Sequence, residues 1–238
     1  MNQTVSRQLE RWEPWCVLGI SALALLLRLY DLTGESLWYD EAYSVWISAM
    51  EIASLRVLWE WKVIFPLYYL LLHFWMRLLG QGEFAVRLFG VLAGTVSVLP
   101  IYWLGRELFH RRVGLVAALL LALNPYHVWY SQEVRMYAWA LFFTVVSLYA
   151  FWRLVRDGRW PWWMLHAAFT ALTFYLHYYI GWIMLAESAF FLWWQLRKGD
   201  GEKGTEPTPW RRIGCWFLEQ IVIVLLALPA ILIFLSLS

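Results

Sequence analysis

Two adjacent carboxylic acids, Asp40 and Glu41 in the segment SLWYDEAYSV, are the first residues of this sequence that could do chemistry. A pair of carboxylates can bind a divalent cation or accept a proton. Consecutive side chains on a helix diverge by about 100°, so we expect the two acids to have different roles. In the alternative interpretation, Asp40 caps the following helix and Glu41 lies in its first turn.

A second polar group, Glu133 and Arg135, lies in the segment HVWYSQEVRMY. A carboxylate and a guanidinium at this spacing can hold a phosphate, with or without a bound metal. The alternative is a short turn with two solvated charges. His177, in FYLHYYIGW, is either a phosphate or metal contact or an interfacial residue that forms ordinary hydrogen bonds.

Other charged residues stand within or beside apolar segments. Glu83 and Arg87 are four residues apart, which predicts either an ion pair within one helix or an Arg87 that binds an anionic lipid head. Glu187 falls inside an apolar run, where an acid is costly and indicates a function, unless it is protonated and bonded inside the bundle. His166 and Glu219 are weaker cases of the same kind.

The composition identifies the kind of protein that must position these residues. Hydrophobic residues make up 62% of the 238 residues and charged residues only 15%, against about 45–50% and 25% in soluble domains. Nineteen Trp, 13 Tyr and 14 Phe suit membrane interfaces. Lys and Arg form short clusters between apolar runs, which excludes a nucleic-acid binder.

Seven apolar segments approach the roughly 20 residues that a transmembrane helix needs. They are 15–30, 84–104, 113–130, 137–152, 161–177, 179–196 and 213–235. An eighth segment, 66–79, has 14 residues and is more typical of an interfacial helix. The sequence therefore predicts an all-α integral membrane protein with about seven transmembrane helices and surface helices in a long first extracytoplasmic loop.

The distribution of basic residues predicts the orientation. If the N-terminus is cytoplasmic and 66–79 does not cross, 13 of the 19 Lys and Arg lie inside; if 66–79 crosses, only five do. The positive-inside rule favours the first topology. Loop 31–83 then faces outwards, and the candidate residues that share the outer face of the plasma membrane are Asp40, Glu41, Glu133, Arg135 and His177.

Two surface helices are expected in loop 31–83. Polar residues recur at steps of three and four on one face of 41–60, namely Glu41, Ser44, Ser48 and Glu51. Such a helix would lie on the membrane surface, with Asp40 as its N-cap. In 66–79, His73 and Arg77 share a face. The two helices would therefore bracket an acidic corner at 40–41.

The whole of 1–238 is predicted to be a single polytopic membrane domain. Its one linker-like stretch is 197–212, which is rich in Gly, Pro and charge and is assigned to the cytoplasm. The sequence stops three residues after the seventh apolar segment. We therefore expect it to be the N-terminal part of a longer protein.

Three segments carry a family resemblance when they are read in order: LRLYDLTGESLWYDEAYSV, PLYYLLLHFWMRLLGQGEFAVRLFGVLAG and LGRELFHRRVGLVAALLLALNPYHVWYSQEVRMYA. Over about residues 15–195 the chain resembles the GT-C glycosyltransferases related to protein O-mannosyltransferases and aminoarabinose transferases, the RgtA/B/C/D-like group. The resemblance implies a GT-C-like module. It also implies an enzyme that moves a sugar from a polyprenyl-phosphate donor to a lipid, glycan or protein acceptor on the outer face.

The resemblance also implies roles for residues. In the family the acid pair of the first outer loop is tied to catalysis and metal, and here that pair is Asp40 and Glu41. The second outer loop supplies a further acid, here Glu133. The three acids are thus the candidate catalytic residues and the candidate ligands of a divalent cation, Mg²⁺ or Mn²⁺. Where relatives read His-Pro-Pro, this chain has Ile-Phe-Pro at 64–66, and Lys62 is the candidate substitute for that histidine.

The resulting hypothesis assigns Asp40 as the base, while Glu41 and Glu133 bind metal or position the donor. The candidate ligands of the donor phosphate are Arg135, Arg87, Lys62 and His177. The alternative function is a polytopic transporter without glycosyl transfer activity, which would place charges along a path through the midplane. Glu187 and His166 offer it slight support, whereas the gathering of polar residues at one surface favours the enzyme.

Overall fold

The computed structural model describes residues 3–50, 66–198 and 209–235, and within these ranges the chain is helical and has no β-strand. The helices are α1 (Gln3–Leu29), α2 (Tyr39–Ala49), α3 (Pro66–Leu79), α4 (Glu83–Val96), α5 (Val98–Leu108), α6 (Arg111–Leu123), α7 (Pro125–Gln132), α8 (Tyr137–Asp157), α9 (Trp160–Phe174), α10 (Ile180–Lys198) and α11 (Pro209–Leu235). The predicted all-α class is confirmed.

Four helical stretches of the described chain are long and apolar enough to cross a membrane: Trp12–Leu29, Glu83–Leu108, Tyr137–Asp157 and Trp210–Leu232. A fifth forms if α6 and α7, which meet at a bend of 56°, are counted as one broken span. The predicted segments 161–177 and 179–196 are the helices α9 and α10, of 15 and 19 residues, and neither meets the same test. The protein is thus a multi-pass membrane protein, and the count of seven spans stays a prediction.

The chain divides into two compact units, one made of 1–53 and 67–145 and the other of 54–66 and 146–238. In the first unit α1 packs on α4, α5 and α6. Its core includes Ala24 of α1, Val98 and Tyr102 of α5, and Ala118 and Ala122 of α6. Small and medium side chains at these contacts let the helices approach closely.

Ionic contacts tie α1 to the turn between α5 and α6. The carboxylate of Glu13 is 2.9 Å from Arg106 Nη1 and 3.3 Å from Arg111 Nε. The hydroxyl of Tyr102 also donates to Glu13. An acid this well buried requires such partners, so this cluster fixes the middle of α1 against its neighbours.

The break between α6 and α7 follows from Pro125, which has no N–H and begins α7 at its first turn. The carbonyl of Leu121 therefore lacks the helical donor four residues on. Arg28, at the end of α1, is fully buried and donates to the carbonyls of Leu121 and Ala122, each at 3.4 Å. A side chain of another helix thus satisfies backbone groups at the break.

The second unit packs α9, α10 and α11 with the C-terminal part of α8. Its core cluster contains Phe151, Leu154, Val155, Phe191, Ile213 and Trp216. Next to this cluster, His166 of α9 lies between two acids, with Nε2 at 3.2 Å from Glu187 of α10 and Nδ1 at 3.1 Å from Glu219 of α11. The interpretation that Glu187 is bonded inside the bundle agrees with this contact.

Candidate active site

At the N-terminus of α2, Asp40 and Glu41 have different environments, and Asp40 is not the N-cap that the sequence predicted. The N-cap is Trp38, so Asp40 does not cap the helix but lies in its first turn. Glu41 is the third helical residue, and its Oε2 accepts the Trp38 backbone N–H at 3.2 Å. This is the reciprocal half of a capping box. Glu41 therefore turns inwards, where it is only 1% exposed.

The Glu41 carboxylate accepts hydrogen bonds from three separate segments. Arg87 of α4 donates through Nε to Oε1 at 3.2 Å and through Nη2 to Oε2 at 2.9 Å. The backbone N–H of Val134, just after α7, donates to Oε1 at 3.0 Å. Together with Trp38 these donors occupy the roughly four lone-pair positions that a carboxylate has. Glu41 thus joins α2, α4 and the segment that carries Glu133 and Arg135.

Arg87 is equally saturated. Its remaining donors reach three backbone carbonyls of the segment that precedes α2: Leu32 at 2.8 Å, Glu35 at 2.8 Å and Ser36 at 3.4 Å. The predicted helical pair with Glu83 is therefore replaced by a pair with Glu41, because the guanidinium points into the protein. Arg87 was also a candidate phosphate ligand, and in this structure its N–H groups are all bound within the protein.

Asp40 is placed differently from its neighbour. Its side chain is 41% exposed, and its Oδ2 lies 3.8 Å from Arg135 Nη1. Arg135 is half-buried and lies 5.9 Å from the centre of the Tyr137 ring. The first acid and the arginine of the second segment thus lie close together. It leaves an accessible carboxylate beside a guanidinium.

Glu133 is positioned by a close approach of backbones. A Cβ atom on Gly90 of α4 would lie 2.6 Å from the carbonyl oxygen of Ser131, and one on Gly94 would overlap the Ser131 side chain. Glycine at both positions lets the end of α7 lie directly on α4. Glu133 follows at the C-cap of α7, so it is brought next to Glu41 and Arg87.

The Glu133 carboxyl differs chemically from the other two. The residue is 8% exposed, and no described residue forms a hydrogen bond with its carboxylate. Burial raises its pKa above the ordinary value, the charges of Glu41 and Asp40 raise it further, and Arg135 and Arg87 oppose them. A raised pKa in a carboxyl at a cavity wall is typical of functional acids.

The helices α2 and α3 meet as expected, but the polar stripe faces the protein. Glu41, Ser44 and Ser48 are buried, and α2 ends at Ala49, so Glu51 lies outside the described residues. His73 Nδ1 of α3 is 2.7 Å from the Ser48 carbonyl oxygen. Arg77, one turn further on, is exposed. The periodicity thus identified one face correctly, and that face is the one packed inwards.

A cavity of about 560 Å³ opens where α1 ends, α4 begins and α7 ends. Its wall carries four carboxylate side chains and one guanidinium, together with exposed aromatic rings. The charged lining residues are Asp31, Glu35, Glu41, Glu133 and Arg87. The rings are those of Tyr30, Trp38 and Trp129. Asp40 and Arg135 are not among the lining residues.

Two candidate phosphate ligands are not part of this cluster as described. Lys62 lies outside the described residues. His177 belongs to the second unit, where its ring lies 4.8 Å from those of Tyr178 and Tyr179 and its Nδ1 accepts the Tyr179 backbone N–H at 3.4 Å. Burial lowers the pKa of His177, so the neutral ring is favoured there.

The acids do not fit a divalent cation in this arrangement. Among residues 3–50, 66–198 and 209–235, no three His, Cys, Asp or Glu side chains are grouped to hold a metal ion. Glu41 has no lone pair left for a ligand bond, since its donors include a guanidinium that already neutralises its charge. The predicted Mg²⁺ or Mn²⁺ stays a prediction.

Arg28 is the residue of this region that the sequence interpretation overlooked. The sequence assigns it no role in the site. It is buried, with Nε 3.2 Å from Ser131 Oγ and Nη2 2.6 Å from His127 Nδ1. The side chain also donates to the Ala24 carbonyl one turn earlier. Its other partners are 93 to 103 residues away, so no local pattern could have indicated them.

A profile of the family described as dolichyl-phosphate-mannose-protein mannosyltransferase matches residues 65–203, which is more than half of the chain. The chain belongs to this family. No individually curated protein matches the sequence significantly. Family membership makes the protein a membrane glycosyltransferase of the GT-C type, as the resemblance of the three segments predicted. The family match favours an enzyme over a transporter.

Proposed function

We propose that the protein transfers a sugar from a polyprenyl-phosphate donor to an acceptor hydroxyl on the outer face of the plasma membrane. The observation that carries this proposal is the contact between the accessible Asp40 carboxylate and the Arg135 guanidinium, 3.8 Å apart. A base and a cation at this separation can act on the acceptor hydroxyl and on the leaving phosphate of one transfer reaction. The family match supports a glycosyl transfer, and its printed name supports a lipid-phosphate donor.

In the proposed reaction the acceptor oxygen forms a bond to the anomeric carbon while the bond from that carbon to the phosphate oxygen breaks. Asp40 takes the hydroxyl proton, which makes the acceptor oxygen nucleophilic. The electron pair of the broken bond stays on the polyprenyl phosphate. Arg135 stabilises that growing negative charge, which is the larger electrostatic requirement of the step.

Glu41 and Arg87 serve this proposal as positioning residues. Their contacts hold the segment before α2, the first turn of α2 and Val134 in one arrangement. Since Asp40 follows the first of these segments and Arg135 follows Val134, the Glu41–Arg87 pair sets the distance between base and cation. Lys62 and His177 remain proposed phosphate ligands, and Glu133 a proposed catalytic acid.

The test is donor turnover by the protein in phosphatidylcholine nanodiscs with a panel of polyprenyl-phosphate sugars. Release of free polyprenyl phosphate is measured for the wild type, Asp40→Asn and, as a matched acid control, Glu83→Gln, which is exposed at the start of α4. We expect release by the wild type and Glu83→Gln and at least a hundredfold loss in Asp40→Asn. Full turnover by folded Asp40→Asn would overturn the assignment of the base. A parallel reaction with EDTA tests the predicted cation.

A further inference from the structure

The cavity between α1, α4 and α7 is built from groups that recognise hydroxyls and not phosphates. Asp31, Glu35 and Glu133 present carboxylates to it. Among the described residues that line it, Arg87 is the one cation, and the N–H groups of that side chain are bound to Glu41 and to three backbone carbonyls. From this part of the lining a phosphate would face several negative charges and no unbound guanidinium.

Glu133 supplies an accessible hydrogen-bond acceptor to the same space. The residue is 8% exposed and lines the cavity, and none of the described residues donates a hydrogen bond to its carboxylate. The carboxylate oxygens are not among the fully enclosed, unbonded polar atoms of the described residues, so they remain open to the cavity. A ligand hydroxyl can therefore donate to Glu133 without displacing a described protein group.

Aromatic rings complete the lining. Trp38 and Trp129 are 50% and 58% exposed, and Tyr30 is even more open. Rings that stand clear of the protein beside hydrogen-bonding carboxylates suit the apolar faces and hydroxyl edges of a pyranose. The volume of about 560 Å³ is within the range of small-molecule sites, roughly 300–1,000 Å³.

The backbone around the cavity is also fixed. Asp31 has φ of 54°, and its carboxylate lies against Gly34, where a Cβ would be only 2.3 Å from Oδ1. The amide of Gln132 donates to the carbonyls of Tyr30 at 2.8 Å and Arg28 at 3.2 Å. These contacts hold the end of α1 to α7, so the carboxylates keep their positions.

We propose that this cavity binds the neutral, hydroxyl-bearing sugar ring of the acceptor, with Glu133 accepting a hydrogen bond from one hydroxyl and Trp129 stacking on the ring. The proposal rests on the proposed glycosyl transfer. In this proposal the cavity holds a sugar ring of the acceptor and so anchors it on the Glu133 side of the Glu41–Arg87 pair. The reacting hydroxyl and the donor phosphate meet outside the cavity, at Asp40 and Arg135, which do not line it.

The experiment measures saturation-transfer NMR of the full chain in phosphatidylcholine nanodiscs, which contain no sugar detergent. The probes are methyl α-mannopyranoside, a neutral ring, and mannose 1-phosphate, the same ring with an anion. We expect the neutral glycoside to bind and the sugar phosphate to bind more weakly. Glu133→Gln replaces a charged acceptor by a neutral amide oxygen, which forms a weaker hydrogen bond, so it should weaken glycoside binding by up to about tenfold. Trp129→Ala should weaken it several-fold.

Two control variants separate the cavity from the rest of the surface. Trp46→Ala removes a comparably exposed indole from α2 outside the cavity, and Glu83→Gln removes an exposed acid. Both should bind the glycoside as the wild type does. The double variant Asp31→Asn with Glu35→Gln should bind mannose 1-phosphate more tightly than the wild type, because two repelling charges are gone.

Unchanged glycoside binding in both Trp129→Ala and Glu133→Gln would overturn the proposal, as would tighter binding of the sugar phosphate by the wild type. Donor turnover of the same preparations is measured separately. If the wild type binds the glycoside in the cavity but turns over no donor, the proposed transfer reaction is wrong. If the wild type turns over donor but binds no glycoside in the cavity, the acceptor cavity is wrong.

Discussion

The guanidinium of Arg87 and the carboxylate of Glu41 form two parallel hydrogen bonds, at 3.2 Å and 2.9 Å, although 46 residues separate them in the chain. Both side chains are buried, at 9% and 1% exposure. The pair is bidentate, which is the strongest geometry for an ion pair. Because the Arg87 N–H groups and the Glu41 oxygens are bound within the protein, the pair contributes to the arrangement of the site and not to contact with a substrate.

Breaking this pair should unfold the site. Arg87→Met and Glu41→Gln each leave a buried group without its partner, and we expect each to cost about 3–5 kcal/mol in the free energy of unfolding. The double variant should lose less than the two single losses combined. Denaturant unfolding of all three variants measures this coupling, and additive losses would contradict a direct pair.

The close contact of α7 with α4 can be tested at Gly90. Gly90→Ala places a Cβ atom 2.6 Å from the Ser131 carbonyl oxygen, so we expect a loss of about 1–3 kcal/mol from overpacking. The matched control is Gly19→Ala in α1, where a Cβ would meet no atom within 4 Å. That change should be neutral or stabilise the helix by roughly 0.5–1 kcal/mol. Equal melting temperatures for the two variants would contradict the contact.

The Glu133 carboxyl should make stability depend on pH. Its pKa is raised in the folded protein, so the folded state binds more protons than the unfolded state above the ordinary value of 4.5. Wild-type stability should therefore fall as pH rises from that value through the raised pKa. Glu133→Gln removes this loss, and we expect it to be more stable than the wild type near neutral pH.

Thermal melts of the wild type and Glu133→Gln across this pH range provide the measurement. The stability difference should shrink to nothing as pH falls below the ordinary carboxyl value, because the wild-type side chain is then neutral in both states. A difference that stays constant with pH would show that Glu133 is not the titrating group.

The buried cluster of the second unit gives another prediction. His166 is fully buried between Glu187 and Glu219 and stacks on the Trp216 indole at 5.5 Å. His166→Leu leaves two buried acids without their shared partner, so we expect a loss of about 3–5 kcal/mol. Glu187→Gln keeps a polar group in place and should lower the free energy of unfolding by less. A melting temperature of His166→Leu equal to that of the wild type would contradict the role of the cluster.

Local patterns predicted local features well. The 14-residue segment 66–79 forms a helix with the predicted bounds, and the spacing of Glu41, Ser44 and Ser48 identified one face of α2. Which residues pack against a helix face depends on distant parts of the chain and not on the local spacing. The sequence therefore could not show that this polar face points inwards.

Pairs between residues far apart in the chain account for the other features that the sequence did not predict. The spacing of Glu83 and Arg87 suggested a helical pair, but two exposed charges gain only a few tenths of a kcal/mol in that geometry. A buried acid with four donors competes more strongly for the same guanidinium. Residues 51–65, which include Lys62, lie outside the described structure, so that part of the predicted site is open to experiment.

The bend at Pro125 has a consequence for biosynthesis. The carbonyls of Leu121 and Ala122 accept from Arg28, a side chain translated almost a hundred residues earlier. Apart from Arg28, Leu121 has a 3.4 Å bond from the Asn124 N–H. Synthesis proceeds from the N-terminus, so α1 is already made when α6 and α7 leave the ribosome. Moving α1 to the end of the gene by circular permutation would reverse this order. The bent segment would then insert without the Arg28 donors, and its completion would depend on a helix not yet made.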